Sequence, residues 1–344
     1  MRIAILSPVW FPVPPTGYGG IESVVALLAD GLVDAGHDVT LFASGDSRTK
    51  ATLASVFPEA PSDKIGWSWI DLRHAVSCYL RGDEFDVVND HSGPAAAMVG
   101  GLVETPVVHT VHGPLDEISL ANYGAIATLA AGIGLVSISL NQRKPAPHLP
   151  WVGNVPNALD LDAYPFHSAR GEYLLYLGRL SPDKGAHRAI EVARAAGLPI
   201  KLAGKKRERA EQEYFDEDVR PLLGDDAEYV GETSHVTKVA LLQNARATLF
   251  PIDWEEPFGL VMIESMACGT PVIATRRGAV PEVVEHGRSG IVVDDVSQMV
   301  DAIRAADAID PAECRRYVEE HFSAARMVTD YVAVYESVMA GIAA

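Results

Sequence analysis

The chemistry-bearing residues of this chain fall into two pairs and two isolated positions. Glu256 and Glu264 stand eight positions apart in the run Glu256-Pro257-Phe258-Gly259-Leu260-Val261-Met262-Ile263-Glu264. Pro257 suits a helix start, and Leu260, Ile263 and Ala267 give that helix a buried face. Glu264 then lies inside the helix and Glu256 in the loop before it. Gly259 removes a side chain where a backbone can approach a ligand. A helix N-terminus adds free N–H groups and positive dipole character, a combination suited to a diphosphate. The second pair is cationic, Arg179 and Lys184, within Gly178-Arg179-Leu180-Ser181-Pro182-Asp183-Lys184-Gly185. In a water-poor cleft two such cations carry the negative charge that a departing phosphate develops, without a metal. The plain alternative is a surface loop with two solvated cations. His112 closes an apolar run, where a polar ring at a strand's carboxyl edge points toward a cleft. Gly19 and Gly20 end a loop rich in Pro and Gly, with Glu22 just after them.

These residues need scaffolding, and the periodicity supplies it twice. Residues 2–7 form a short apolar run, and after the glycine loop Ile21, Val24, Val25, Leu28 and Leu32 fall on one helical face. Gly36 gives the stop and 38–42 read as the next strand. Further strands are expected at 85–88, 106–111 and 135–138. After a polar linker over 158–172, broken by Pro165, the pattern restarts with strands at 173–178 and 199–204 around a helix holding Ile190, Val192, Ala193 and Ala196. Helices alternating with apolar strands imply parallel sheets, with ligands beyond the carboxyl ends of the strands. The expected architecture is α/β: two Rossmann-like domains, residues 1–158 and 159–324, their parallel sheets facing across a cleft. A last helix within about 325–344 crosses back to the first domain.

Composition narrows the partners. The 344 residues carry 46 acidic and 28 basic side chains, a formal charge of −18, which repels phosphate backbones and argues against nucleic acid. Cys78, Cys268 and Cys314 show neither metal-ligand spacing nor a disulfide framework, so they read as reduced thiols of a cytoplasmic protein. The amino-terminal apolar run is too short for a signal sequence and meets Pro8 and Pro12. The uncharged stretch 118–142 is diluted by Asn122, Gly124, Thr128, Gly132, Ser137 and Ser139. It reads as a buried helix followed by a buried strand, not a transmembrane segment.

The run EPFGLVMIESMACGTPVIA, with seven residues between its two outer glutamates, resembles the retaining glycosyltransferases of family 4 (glycosyl transferases group 1), which have the GT-B fold. GRLSPDKG is similar to the same family. The resemblance implies a metal-independent transfer from a nucleotide sugar to an acceptor hydroxyl, with no cofactor beyond that donor. It makes the first domain acceptor-side and the second donor-binding. It assigns Glu256 to hydroxyls of the donor sugar, Glu264 to the ribose, and Arg179 and Lys184 to the leaving diphosphate. Phe258, Gly259 and Leu260 join the donor site, Gly19 and Gly20 face the donor phosphate and the acceptor, and His112 contacts the donor sugar; His91 and His109 read as packing behind it. UDP is the first candidate base, with GDP or TDP behind it.

Ala158, in Val155-Pro156-Asn157-Ala158-Leu159-Asp160, departs from the family's usual Gly. Asp160-Leu161-Asp162 matches the short Asp-any-Asp signature of metal-dependent transferases, but lies in the linker without further oxygen ligands, so no metal site is expected. Lys205, Lys206 and Arg207 follow a strand end and read as solvated, with phosphate contact as the alternative, and Glu282 matches the family and equally suits a helix-start carboxylate. A nucleotide-sugar epimerase of the same fold, or a binding protein with a silent site, remains open. The acceptor has no recognisable code, with Trp67, Trp69 and 115–123 as candidate contacts, and the oligomeric state is open.

Overall fold

A computed structural model of the protein describes residues 1–130 and 132–341; positions 131 and 342–344, which fall within the uncharged stretch and the expected carboxyl-terminal return, lie outside the described residues. The chain forms two compact units. One comprises Met1–Leu159 with Ala324–Ala344, the other Asp160–Ser323.

The first unit is built on a parallel seven-stranded sheet: β1 (Arg2–Leu6), β2 (Asp38–Phe42), β3 (Thr52–Ala54), β4 (Val87–Asp90), β5 (Val107–Val111), β6 (Ile133–Ser137) and β7 (Trp151–Asn154). Their order is β3-β2-β1-β4-β5-β6-β7, so the chain winds outward from β1, then returns to lay β4 on its other side. Loops diverge above that β1/β4 boundary, which is where open α/β sheets leave room for ligands. The helix Gly20–Asp34 buries Val24, Val25, Leu28, Ala29 and Leu32.

The last helix, Ala324–Met339, belongs to this unit. Tyr335 OH accepts a hydrogen bond from Asn89 Nδ2 at 2.5 Å, and Tyr331 OH lies 3.0 Å from the Thr110 hydroxyl. Close packing rests on two glycines, since a Cβ at Gly31 or Gly153 would come within 2.6 Å of Val328 or Val334.

The second unit carries six parallel strands: β8 (Tyr173–Leu177), β9 (Ile200–Ala203), β10 (Ala227–Gly231), β11 (Ala245–Phe250), β12 (Val272–Thr275) and β13 (Gly290–Val293). The order β10-β9-β8-β11-β12-β13 repeats the same winding, with its reversal between β8 and β11. Where β8 and β9 end, a Cβ on Gly204 would lie 1.7 Å from the Gly178 carbonyl oxygen, so that crossing admits only glycine.

Three local expectations are corrected. The strand expected at 85–88 runs from Val87 to Asp90, because Asn89 and Asp90 are buried with polar partners, while Asp86 stays outside and binds the Arg2 guanidinium. The uncharged stretch gives a fully buried β6, but its helix, Glu117–Leu129, buries only Tyr123 and Ile126 and leaves Ile118 and Leu129 exposed. The motif helix begins at Leu260, not at Pro257, and its buried face starts at Met262, with Leu260 half-buried. Among the described residues no helix is long and apolar enough to cross a membrane.

Removing the Tyr335 hydroxyl strands the buried Asn89 amide. Tyr335→Phe is expected to lower unfolding free energy by about 1–3 kcal/mol, the range for an orphaned buried donor, measured by urea denaturation of the whole chain.

Candidate functional site

Two loops of the second unit meet where its sheet reverses. The turn after β8 carries Arg179 and Lys184, and the segment after β11 carries Glu256. Lys184 Nζ donates to Glu256 Oε2 in a short ion pair with 16% and 8% of the two side chains exposed, so the pair is largely withdrawn from water. Trp254 Nε1 donates to the same oxygen at 3.1 Å, and its ring lies under the ammonium, 4.4 Å from Nζ to ring centre. Burying two opposite charges is tolerable only with good geometry and further hydrogen bonds, which Trp254 supplies.

The backbone holds Glu256 in place. A Cβ on Gly278, at φ +57°, would come within 2.3 Å of the Glu256 main chain, and Ala279 N donates to Glu256 O. Gly259, at φ +86°, caps the helix Leu260–Ala267 in the left-handed region. The sequence expectation puts a diphosphate at the first-turn amides of that helix, of which Met262 N donates to the Gly259 carbonyl at 3.0 Å.

Arg179 is less enclosed. It lies 3.5 Å from Asp183 and 3.9 Å from Glu211 Oε1, an oxygen that accepts no hydrogen bond. Lys205, expected in solvent, instead keeps only 13% of its side chain exposed and approaches the same Glu211 oxygen at 3.9 Å. Glu211 is buried because its other oxygen accepts the Arg207 and Glu208 amides at a helix start. Lys206 lies over the Phe215 ring at 4.1 Å, while Arg207 is exposed and pairs with Glu232.

Glu264 sits inside its helix, nearly buried. Its Oε1 accepts from Tyr164 OH and Lys238 Nζ, both at 2.6 Å. Burial and Glu264 together push the Tyr164 phenol well above its ordinary value, so it stays a donor. Phe258 is buried edge-on against Phe322, so its side chain is core, and only its main chain is left to meet a ligand. Asp160 accepts from Asp162 N and caps the short helix Leu161–Ala163. Glu282 is exposed in the first turn of Val280–Val283.

In the first unit the remaining residues gather above the β1/β4 boundary. Gly19 has φ +151°, and a Cβ there would meet Pro15 at 2.7 Å and Glu22 Oε2 at 3.0 Å; Gly20 opens the following helix and is exposed. His112 is half-buried, its Nε2 2.8 Å from His91 Nδ1, and Gln142 fixes the turn around it by donating to the carbonyls of Val111 and Gly113. Burial, with His109 nearby, lowers His112 to about 3, and burial with His112 and His109 nearby holds His91 well below its ordinary value, so both rings are neutral near pH 7. Behind them Asp90 accepts from His109, Tyr79 and Ser92, and His109 Nε2 meets Tyr123 OH at 3.1 Å. Trp67 and Trp69 are exposed at the start of the helix Ser68–Tyr79.

Sequence reasoning missed Tyr164, Trp254 and Lys238. Trp254 directly precedes the motif and was within reach. Tyr164 lies in the linker and Lys238 on a helix whose polar residues look alike, so nothing in their local sequence marks them.

Comparison with known proteins places the chain in a family. Residues 165–320 match the family model "Glycosyl transferases group 1", and residues 18–140 match "Glycosyltransferase Family 4". The chain is 27% identical to a glycogen synthase of Mycobacterium tuberculosis over 92% of its own length and 88% of that protein's. It is 28% identical to a phosphatidyl-myo-inositol mannosyltransferase of Mycolicibacterium smegmatis, over 88% and 84%. The crystal structure of a glycosyltransferase involved in avilamycin A biosynthesis superposes with a TM-score of 0.73 at 28% identity, covering 99% of this chain and 98% of that one.

Glu22 supplies a pH test of the first unit. Burial raises its carboxyl from 4.5 to about 7, so the folded chain holds a proton there that the unfolded chain has released. Stability contributed by that proton is therefore present below pH 4.5 and lost as pH rises toward 7. Glu22→Gln is expected to stabilise the protein at pH 8 relative to the parent by up to about 3 kcal/mol, with the gain vanishing near pH 4, read from denaturation curves at both pH values.

Proposed function

The chain belongs to the group 1, family 4 glycosyltransferases of GT-B fold, and from that premise we propose that it transfers a sugar from a nucleoside diphosphate to an acceptor hydroxyl, retaining anomeric configuration and using no metal. A UDP-sugar is the first donor to test, on the family resemblance. The observation that carries this reading is Lys184 paired with Glu256 where the second sheet reverses, with Arg179 in the same loop and the Gly259-capped helix start directly after Glu256 in sequence.

In this reading the bond from the anomeric carbon to the diphosphate oxygen breaks and its electron pair leaves with the diphosphate. Arg179 and Lys184 steady that charge, and the amides of the first turn at Leu260 add their dipoles. Lys184 spends one of its three N–H donors on Glu256, which leaves two for phosphate oxygens. Glu256 directs Oε1, the oxygen not engaged by Lys184 and Trp254, to sugar hydroxyls. Glu264 takes the ribose. The acceptor hydroxyl adds to the face from which the diphosphate departs, and its proton passes to a phosphate oxygen.

Calorimetry with UDP-, GDP- and TDP-sugars in EDTA tests the donor and the metal independence together: one base is expected to bind, and loss of binding on chelation ends the metal-free reading. Arg179→Ala and Lys184→Ala are each expected to lower kcat about 100-fold, near 3 kcal/mol in the barrier. Unchanged turnover in either variant removes these cations from the mechanism, and sugar epimerisation with no acceptor present assigns the chain to the other reaction class.

A further inference from the structure

The two motif glutamates are prepared in the same way, although they belong to different local structures. On Glu256, Oε2 takes both Lys184 Nζ and Trp254 Nε1. On Glu264, Oε1 takes both Lys238 Nζ and Tyr164 OH. Each lysine also lies over the ring of its aromatic partner, Lys184 over Trp254 at 4.4 Å and Lys238 over Tyr164 at 5.2 Å. In both cases a cation and an aromatic donor saturate one carboxylate oxygen, and no residue of the described structure donates a hydrogen bond to the other.

A carboxylate oxygen has two lone-pair sites, so two short donors on Oε1 leave Glu264 with Oε2 and its two sites. Vicinal hydroxyls on a ribose are two donors at matching spacing. The carboxylate cannot rotate to offer Oε1 without breaking two hydrogen bonds to groups that are themselves held. Tyr164 is buried at the head of the linker, and it packs edge-on against His235, whose Nε2 meets the Ala163 carbonyl at 2.9 Å. Lys238 projects from the helix His235–Gln243, which Ser234 caps through Thr237 N.

Resting on the nucleoside diphosphate reading above, we infer that Lys238 and Tyr164 are positioning residues for the nucleoside: they commit Glu264 Oε1 and so fix Oε2 as the acceptor for both ribose hydroxyls. Neither touches the ligand. Their contribution is to the ribose hydroxyls alone, so it vanishes for a nucleotide that lacks them.

The test is calorimetry on the full chain with UDP and GDP and with the 2′,3′-dideoxy counterpart of each, for the parent, Lys238→Met and Tyr164→Phe. The parent should bind one ribonucleotide more tightly than its dideoxy counterpart. Each variant should weaken the ribonucleotide by about tenfold, the scale of one charged or strong hydrogen bond, and leave the dideoxy compound within about twofold, which also reports an intact site. If both variants keep the parent's ratio of the two affinities, or weaken both compounds equally, the inference is overturned while the donor reading stands. If the parent binds neither diphosphate, the donor reading fails and this inference with it.

Discussion

The contact between Lys184 and Glu256 joins the two loops that emerge where the second sheet changes winding direction. It needs β8 and β11 to be neighbours, although 67 residues separate the end of one from the start of the other. It also needs Gly278 behind Glu256, because any side chain there would push that main chain away. With more than four-fifths of both side chains hidden, separating the partners would leave an uncompensated buried charge. The pair therefore pins the loop after β8 to the loop after β11, and the helix that follows Glu256 starts from a fixed point.

Electrostatics in the second unit follow one rule. Arg179, Lys184, Lys205 and Lys238 are each met by a carboxylate, and Trp254 and Tyr164 add neutral donors where a carboxylate is nearly buried. A site built this way keeps positive charge without the repulsion of unpaired cations, and its donors are already oriented. The acidic total of the chain is thus no obstacle to binding an anion locally.

The first unit is organised on the opposite principle. Above β1 and β4 burial holds His91 and His112 neutral, and a single buried carboxylate, Asp90, is kept below the usual range by His109 and Ser92 and also accepts from Tyr79. Glu22 retains a proton to about pH 7 in the same region. The last helix joins this unit by returning Tyr331 and Tyr335 to Thr110 and Asn89.

The sequence alone determined the class of fold, most strand positions, and the identities of Arg179, Lys184, Glu256 and Glu264, because short apolar runs and glycine-bearing motifs are local signals. It placed the motif helix three residues early, since proline at a helix start is only a tendency and the left-handed Gly259 is the actual cap. It read Lys205 as solvated, since exposure depends on what packs from elsewhere. Only the tertiary structure paired Lys184 with Glu256, brought Tyr164 and Lys238 to one oxygen of Glu264, and set His91 against His112. Those contacts join residues 21 to 100 positions apart, and no local pattern encodes the partner of a side chain that finds it across a sheet.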